Sequence, residues 1–429
     1  MRILICTYTF PPTGGPRSIR WIQFTDYLSK KGWKIDILTV SPLPRSPRYD
    51  EESLKEVPEG VSVHRTFPGI LYSFTYKFFA RGDSRSGKKR GSSDTLTKRI
   101  LKYLNKTGRS LLIPDGSIEW LPFALRSGKK LCRENYYDAL ISVGYPYSSH
   151  VVGYFLKKYV HGPWLADYGD PWSFFPHYFP EWRRPIDRRL EGRLLKRMDK
   201  VIVTTEETKE GYLTFFPFLE DNDVEVIPQG YDVARFSKME PEKAQGFRIV
   251  YTGIFYGTIR EPYAFFDAVE EMEDMDIEVV IAGRIEERYR EYVISRGLTG
   301  KVKFLGYLSH ERVVALQKGA TVLLLLGNLS RYQLPSKVYE YIASKRPILS
   351  IRYQKEDIAS KIVEKYQRGV VVDNKKGEIK EALRAFYQDW KDKKLDGRFK
   401  LEDIEEYSWD SLVLRFEALL KKTCMGSNL

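Results

Sequence analysis

The sequence of 429 residues contains little cysteine and little histidine, with three of the former and five of the latter. Cys6, Cys132 and Cys424 are far apart and odd in number, which excludes a disulfide framework, and no C-x-x-C pair is present to bind zinc. No apolar run approaches the roughly 18 residues of a membrane-spanning helix. The apolar residues 2–6 run straight into a Tyr-Thr-Phe-Pro-Pro stretch, which indicates a strand and not the core of a signal peptide. We therefore expect a cytoplasmic protein without a metal site.

Positive charge is in excess, with 70 Lys and Arg against 57 Asp and Glu and a net charge of +13. Residues 77–109 hold eleven of these cations and only two acidic residues. Aromatic side chains stand among the cations in the surrounding segment 70–112. Such a balance indicates an anionic partner, which the charge alone leaves open between nucleic acid, a phosphate-bearing substrate and a membrane surface.

Short apolar runs alternate with helical stretches along the whole chain, which is typical of parallel sheets wound with helices. One set of predicted strands falls in the first half, at residues 2–6, 34–40, 139–143, 164–166, 200–204 and 224–227. A second set begins afresh at residues 248–253, 277–282, 302–304, 322–326 and 347–351. The polar stretch 236–245 between the sets is interpreted as a linker. The fold class is therefore α/β, with two doubly wound halves.

A proline-glycine turn, Pro11-Pro12-Thr13-Gly14-Gly15, lies between the first predicted strand and helix. Glycines at this place allow backbone amides to approach an anion, and a helix amino terminus adds a favourable partial charge. Arg17 and Arg20 add cations on the first helical turns. An ordinary strand-to-helix turn is the alternative interpretation. The sequence lacks G-x-G-x-x-G at this turn, which disfavours a nicotinamide enzyme.

A second turn before a predicted helix, Leu334-Pro335-Ser336-Lys337-Val338-Tyr339-Glu340, has polar residues suited to a nucleotide. Amides and the Lys337 ammonium at the start of that helix can bind a diphosphate. Glu340 can accept two hydrogen bonds from a ribose diol. A capped surface helix is the alternative interpretation of the same residues.

Together these motifs resemble the family-4 glycosyltransferases of the GT-B fold, particularly the bacterial polysaccharide-assembly members. The resemblance covers essentially the whole chain in order, through the two turns and residues 142–150, 166–172, 224–232, 250–253, 281–284 and 302–307. It implies two Rossmann-like domains facing a central cleft. It also implies transfer of a sugar from a nucleoside diphosphate donor with retention at the anomeric carbon, without a metal or other cofactor.

The resemblance implies a donor-binding set spread over both halves: Gly15, Gly253, Arg260, Gly283, Arg284, Tyr307, Pro335, Ser336, Lys337 and Glu340. In this set Lys337 binds the diphosphate and Glu340 the ribose, while Arg260 supplies a second cation for the phosphates. Gly15 offers its amide to the donor phosphate. The remaining polar and aromatic side chains, Arg284 and Tyr307, line the base pocket with Gly283.

Catalysis is expected to rest on preorganised cations and amides, because the departing diphosphate gains negative charge as the glycosidic bond breaks. Lys337 and Glu340 are therefore predicted catalytic residues. Asp167 and Asp170 flank an aromatic turn after a strand, and Asp170 is the third predicted catalytic residue because its carboxylate can orient a sugar. A simple turn or helix start is the alternative for these two aspartates. Tyr332 departs from the family pattern, which has a glutamate eight positions before Glu340.

The predicted domains are an acceptor-binding domain at 1–240, a donor-binding domain at 241–405 and a helix at 406–429 that returns to the first domain. Arg17 and Tyr147 are predicted at the acceptor, together with Lys88, Lys89 and Arg90 of the basic segment 70–112. This segment is expected to meet a lipid-linked glycan acceptor or an anionic membrane, which places the protein peripherally on the inner face of the cell membrane. A solvated loop without a partner is the alternative.

Three other functions compete with sugar transfer. A nucleotide-sugar epimerase or hydrolase of the same fold needs acidic groups for proton transfer, which the motifs do not supply. A catalytically weak nucleotide-sugar-binding partner protein is compatible with Tyr332. Nucleic-acid binding fits the basic segment, but no recognised nucleic-acid module is present, so no nucleic-acid partner is expected.

Overall fold

The computed structural model describes residues 1–42, 49–70, 111–175, 180–255, 257 and 260–426. The chain divides into two compact units, the first formed by Met1–Pro228 with Leu412–Leu429 and the second by Gln229–Ser411. Each unit contains a parallel sheet with helices, so the expected two-domain α/β class is confirmed.

The first unit is built on a seven-stranded sheet in which all neighbouring strands are parallel. Its strands are β1 (Arg2–Thr7), β2 (Lys34–Val40), β3 (Val61–Thr66), β4 (Ala139–Gly144), β5 (Trp164–Tyr168), β6 (Lys200–Val203) and β7 (Val224–Val226). Their spatial order is β3-β2-β1-β4-β5-β6-β7, so the order reverses between β1 and β4. Ligands of open α/β sheets bind outside the carboxyl ends of the strands at such a reversal.

Helices of the first unit connect these strands: α1 (Pro16–Lys30), α2 (Leu121–Glu134), α3 (Ser148–Leu156), α4 (Arg184–Leu195) and α5 (Glu206–Phe215). Helix α1 begins with a proline directly after Gly15 and ends before Gly32, whose φ of +81° favours glycine. The sequence prediction of a strand-helix-strand unit over the first forty residues is therefore confirmed.

The second unit is built on a six-stranded parallel sheet with the order β10-β9-β8-β11-β12-β13. Its strands are β8 (Phe247–Thr252), β9 (Ile277–Ala282), β10 (Val302–Gly306), β11 (Val322–Leu326), β12 (Ile348–Arg352) and β13 (Gly369–Asp373). The reversal here lies between β8 and β11. Side chains of β8 alternate between two cores, since Ile249 and Tyr251 pack into one hydrophobic cluster and Val250 into the other.

Helices cover both faces of this second sheet: α6 (Val233–Lys238), α7 (Tyr263–Glu270), α8 (Glu287–Ser295), α9 (His310–Lys318), α10 (Lys337–Ala343), α11 (Ile358–Lys365), α12 (Lys376–Lys391) and α13 (Leu395–Arg398). The last helix, α14 (Trp409–Gly426), belongs to the first unit from Leu412 onward. Its Phe416 ring stacks on Phe24 of α1 with centroids 4.6 Å apart and meets the edge of Trp21 at 5.4 Å. No helix among the described residues is long and apolar enough to cross a membrane.

The boundary between the units falls earlier than the predicted residue 240. Tyr231 exchanges backbone hydrogen bonds with Tyr407 and Trp409, both in the second unit. Phe236, placed in the linker by its polar surroundings, lies in helix α6 and is buried in the second unit's core. The start of the predicted linker is therefore an ordered helix.

Two strands were missed by the sequence pattern, β3 and β13. Both lie at a sheet edge, and most of their side chains are only partly buried. An edge strand has one neighbour and therefore needs no continuous apolar run, which was the signal used for the other strands.

Candidate functional site

The carboxyl edge of the second sheet brings Gly253 and Lys337 together. Gly253 follows β8 with φ of +133°, and Lys337 opens α10 after the loop that leaves β11. A Cβ atom on residue 253 would overlap the Lys337 ammonium in its present position, and the φ of +133° itself favours glycine. The Lys337 side chain therefore packs against the backbone of Gly253 at the strand-order reversal between β8 and β11.

Lys337 is held in an environment that disfavours its charge. The side chain is partly buried, with Nζ 5.4 Å from the centroid of the Tyr251 ring. Loss of hydration and, second, the nearby Arg260 guanidinium lower the pKa of Lys337 to about 7, while Glu340 acts in the opposite direction. An anion bound at this place would remove the penalty, because it would neutralise both cations.

Arg260 is the second cation, and it is 5% exposed. Its Nε donates a hydrogen bond to the Gly327 carbonyl at 3.2 Å, and its guanidinium also donates to the Asn328 side-chain oxygen. The Asn328 amide donates to Asp357 Oδ1 at 3.0 Å, which fixes the loop after β11. Arg260 is therefore positioned by the Gly327 carbonyl and the Asn328 side chain of this loop.

Glu340 is oriented by a glutamine that the sequence analysis missed. Gln317 of α9 is fully buried, and its Nε2 donates to Glu340 Oε2 at 3.2 Å and to Thr252 Oγ1 at 2.9 Å. Gln317 Oε1 accepts from Ser344 Oγ at 3.2 Å. Its signal in the sequence is a single amide among the apolar positions of a helix, which local pattern does not distinguish from a surface residue.

Gly283, Arg284 and Tyr307 lie at the ends of the neighbouring strands β9 and β10. The Gly283 amide donates to the Gly306 carbonyl, and a Cβ atom on Gly283 would overlap the Gly253 carbonyl oxygen. The Arg284 guanidinium lies 5.8 Å from the centroid of the Tyr307 ring, which is 73% exposed. An exposed aromatic ring beside a guanidinium offers stacking surface to a planar base.

The Pro335-Ser336 turn starts helix α10. Pro335 is buried, and its carbonyl accepts from the Val338 amide at 3.1 Å, while the Ser336 carbonyl accepts from the Tyr339 amide at 3.2 Å. Tyr332 lies in the loop before this turn, with the Arg331 guanidinium 5.0 Å from its ring centroid.

In the first unit, Gly15 and Arg17 lie at the carboxyl edge of the sheet. Gly15 has φ of +139°, and its carbonyl accepts from the Ile19 amide at 3.1 Å, which closes the first turn of α1. Arg17 Nη1 lies 3.4 Å from Asp167 Oδ2, and a Cβ atom on Gly169 would lie 2.5 Å from Arg17 Nε. Arg17 therefore packs across the end of β5.

Asp167, weighed in the sequence as a group that orients a sugar, is instead a fully buried structural carboxylate. Its Oδ2 accepts from Arg20 Nε at 3.1 Å and from Trp21 Nε1 at 2.9 Å, and Arg20 is itself fully buried. Because these contacts lie within the core, the Asp167 carboxylate does not reach the surface of the first unit.

Asp170 follows β5 and is partly exposed. The loop that contains it is held by hydrogen bonds from the Tyr147 hydroxyl. Tyr147 is fully buried, stacks on Trp172 with centroids 5.2 Å apart, and donates its hydroxyl to the carbonyls of Pro171 at 2.8 Å and Asp170 at 3.3 Å. Tyr147, predicted at the acceptor, therefore shapes the Asp170 loop and does not present its ring to a bound molecule.

Glu191 of α4 fixes the next part of the same loop. Its carboxylate accepts from the Ser173 amide at 3.0 Å and from the Tyr212 hydroxyl at 2.8 Å. Complete burial raises the pKa of Glu191 to about 7.

The predicted acceptor residues Lys88, Lys89 and Arg90 lie outside the described residues. No cluster of His, Cys, Asp or Glu suited to a metal occurs in the described part of the chain.

Two α/β units, with clustered polar residues at the carboxyl edges of parallel sheets, are the architecture expected of a GT-B enzyme. Residues 18–235 match the family described as Glycosyltransferase Family 4, and residues 254–400 match Glycosyl transferases group 1. The chain belongs to glycosyltransferase family 4, which confirms the resemblance seen in its motifs. It is a sugar-transferring enzyme, and the family implies a nucleotide-sugar donor and a glycan acceptor.

Solved structures support the fold over the full length. Sucrose-phosphate synthase from Thermosynechococcus elongatus is 16% identical with a TM-score of 0.66, covering 98% of each chain. Anabaena HepE, solved in complex with UDP and glucose, is 12% identical with a TM-score of 0.62, covering 98% of this chain and 100% of that one. The UDP-GlcNAc 2-epimerase from Methanocaldococcus jannaschii is 13% identical with a TM-score of 0.52, covering 98% and 100%. No curated protein sequence matches the chain.

Proposed function

We propose that the protein transfers a sugar from a nucleoside diphosphate donor to a lipid-linked glycan, with retention at the anomeric carbon, during cell-surface polysaccharide synthesis. The observation that carries the proposal is the pair of cations Lys337 and Arg260, held together at the strand-order reversal of the second sheet with Glu340 beside them. A location on an anionic membrane is proposed from the basic segment 70–112, of which residues 71–110 lie outside the described residues.

In the proposed reaction the bond between the anomeric carbon and the diphosphate oxygen breaks, and its electron pair stays on the diphosphate. Lys337 and Arg260 stabilise this growing charge, since fixed cations in a partly dry site act strongly on a developing anion. The acceptor oxygen bonds to the anomeric carbon, and its proton passes to an oxygen of the leaving phosphate. The proposal includes no metal ion, because the two side-chain cations match the two negative charges of the donor.

Glu340 is proposed to bind the ribose diol, because Gln317 holds its carboxylate at the edge of the Lys337 site. Arg284 and Tyr307 are proposed to bind the base, and Asp170 and Arg17 to orient the acceptor or the transferred sugar. Tyr332 implies that hydroxyls of the donor sugar are recognised by groups other than the family's first glutamate.

A donor screen tests the proposal. Calorimetric titration with several nucleoside diphosphate sugars should find at least one that binds, and Glu340→Ala should weaken its affinity about 10- to 100-fold, as expected for lost hydrogen bonds to a charged group. Glu364→Ala, which removes an exposed glutamate of α11, is the matched control and should bind as the parent does. Failure of every donor to bind the parent protein would refute the enzyme site proposed here.

Donor binding should take up a proton at Lys337. The free side chain is largely neutral above its pKa of about 7, and a bound diphosphate favours its charged form. The donor affinity should therefore fall as the pH rises from 6.5 to 8.5, by up to about tenfold per pH unit. Calorimetry at pH 8 in buffers of different ionisation enthalpy should show close to one proton taken up for each nucleoside diphosphate sugar bound.

Lys337→Arg is the control for this proton uptake, because arginine keeps the charge but does not titrate in this range. The variant should bind donor with an affinity that no longer depends on pH between 6.5 and 8.5. A binding heat for the parent that is independent of the buffer would contradict the role of Lys337 at the phosphate. The nucleoside diphosphate sugar is used because its bridging diphosphate has no group that titrates near pH 7.

A nucleotide-sugar epimerase or hydrolase is the second candidate, and the likeness of the fold to an epimerase favours it. Either reaction would consume the donor without an acceptor. Proton NMR of the donor, incubated with the protein alone, separates the candidates, because a transferase would leave it largely unchanged, whereas an epimerase would change the configuration at C2 of the sugar.

A further inference from the structure

A cationic groove of about 610 Å³ lies on the first unit, between helix α4 and the residues that follow α5. Five basic side chains line it: Arg184, Arg188, Arg189, Arg193 and Lys196. Phe216 and Phe218 form its aromatic wall, and the Lys196 ammonium lies 5.1 Å from the centroid of the Phe218 ring. This groove is separate from the Asp170 loop, which α4 supports from its opposite, buried face.

The outer face of α4 is cationic because its acidic residues point inward. Asp187 is 1% exposed and pairs with Arg183 at 2.8 Å, and Glu191 is fully buried under the Ser173 loop. Within the described part of the chain, no carboxylate lies within ion-pair distance of Arg188, Arg189 or Arg193, all of which are exposed. These three arginines of α4 therefore form a concentrated positive charge that no carboxylate of the described residues pairs with.

Among the described residues that line the groove, side chains offer hydrogen-bond donors and none is an acceptor. Guanidinium and ammonium groups only donate, so a ligand must supply acceptors, as the oxygens of a phosphate do. A neutral glycan fits poorly, because its hydroxyl groups also need acceptors. Gly192 also lines the groove, and a Cβ atom there would make an ordinary van der Waals contact with the Phe216 ring at 3.5 Å.

Exposed apolar side chains flank the cations. Trp182 is 54% exposed, and Ile186, four positions later, is 46% exposed. Ile186 lies three positions before Arg189 and seven before Arg193, which places it on their side of α4. Phe218 of the groove is itself 44% exposed. Aromatic and aliphatic side chains beside cations favour the headgroup region of a bilayer over a phosphate free in solution.

We propose that this groove binds the phosphate headgroups of anionic lipids and attaches the first unit to a membrane surface. Arg188, Arg189 and Arg193 contact lipid phosphates, while Trp182 and Ile186 enter the interface. The inference adds a defined surface to the membrane location proposed above and rests on that part of the proposed function. Vesicle binding needs no sugar donor, so its failure is distinguishable from failure of sugar transfer.

The test is co-sedimentation of the full chain with vesicles of phosphatidylcholine containing 30% phosphatidylglycerol, at about 0.1 M NaCl. The triple variant R188Q/R189Q/R193Q should bind them roughly 100-fold more weakly than the parent, since each basic side chain near an anionic surface contributes about fivefold. Gly192→Leu, which fills the groove without changing charge, should also weaken binding by severalfold. Both variants should keep the parent's donor affinity and melting temperature within a few degrees.

The matched control is K238Q/K243Q/K391Q, which removes the same charge from three exposed lysines of the second unit. An equal loss of binding in this control, or parent-like binding by the R188Q/R189Q/R193Q variant, would overturn the proposal. So would equal binding of the parent to pure phosphatidylcholine, displacement by glycerol phosphate at matched phosphate concentration, or tighter binding to single-stranded RNA than to the vesicles.

Discussion

Lys337→Met is expected to abolish binding of the nucleoside diphosphate sugar and, at the same time, to make the second unit more stable. The donor affinity should fall at least 100-fold, because the diphosphate loses one of its two cations in a site that excludes part of the water. The stability should rise by about 1–2 kcal/mol at pH 6–7, since methionine fills similar space without a charge to desolvate.

The rise in stability has a defined pH dependence. Lysine in the unfolded chain keeps its proton up to its ordinary pKa of 10.5, whereas Lys337 in the folded protein loses it near 7. The unfolded state therefore binds more protons between pH 7 and 10.5, and the stability of the parent increases with pH over that range. The advantage of Lys337→Met should be full below pH 7 and should disappear toward pH 10.

Scanning calorimetry of the free protein measures this effect, with an expected increase of roughly 3–6 °C for the second unit at pH 6.5. Lys391→Met, at an exposed lysine of α12, is the control and should leave both the melting temperature and the donor affinity unchanged. A Lys337→Met protein that melts below the parent at pH 6.5, or that binds donor normally, would contradict the proposed site.

Asp167→Asn is expected to destabilise the first unit by about 3–5 kcal/mol, the range seen when one partner of a buried ion pair is removed. Arg20 is fully buried and has the Asp167 carboxylate as its counter-charge at 3.1 Å. Among its other contacts are the carbonyl oxygens of Ile227 and Pro228, which accept hydrogen bonds but do not neutralise the charge, and the Phe24 ring at 4.6 Å. The variant therefore removes the carboxylate charge that lies 3.1 Å from a buried guanidinium.

The expected measurement is a fall of roughly 10 °C in the calorimetric transition of the first unit. Asp26→Asn is the control on α1, where the carboxylate forms an exposed ion pair with Lys30, and it should cost under 1 kcal/mol. Removing both charges, in R20M/D167N, should recover a large part of the loss, because the fully buried guanidinium of Arg20 is then removed with its counter-charge. Equal melting of Asp167→Asn and Asp26→Asn would show that Arg20 is solvated in solution.

Most of the strands follow from the sequence because strands buried on both faces are continuous apolar runs. Residues 322–326, for example, are predicted and observed as the same strand. The edge strands β3 and β13 could not be found in this way, since a half-covered strand tolerates residues such as Ser62, His64 and Arg65. Helix α6 was missed for a related reason, because its single buried residue, Phe236, gives no periodic pattern.

The candidate site was only partly predictable. Glycines at strand ends and the Pro-Ser-Lys turn are visible as motifs, and the structure places Gly253, Gly283 and Lys337 together at one sheet edge. The roles of individual polar side chains were harder to predict from the sequence. Asp167 and Asp170 have the same chemistry and lie three positions apart, yet one is in the core and the other is partly exposed. Burial of a carboxylate depends on the partners that other segments bring, here Arg20 and Trp21 of α1.

The charge distribution, too, is determined partly by the sequence and partly by the tertiary structure. Composition alone determines an excess of cations and the absence of a disulfide framework, and apolar periodicity predicts two α/β halves. The motifs in their order indicate a family-4 glycosyltransferase, which the family match confirms. Tertiary structure alone decides which charges meet a ligand. It turns Asp187 and Glu191 of α4 into the core and leaves the arginines of the same helix outside, and it brings Arg260 beside Lys337 although they are 77 positions apart in the sequence. The electrostatic energy of a side chain depends on its distance from other charges and on its hydration. Both are set by the folded structure and cannot be read from the order of residues along the chain.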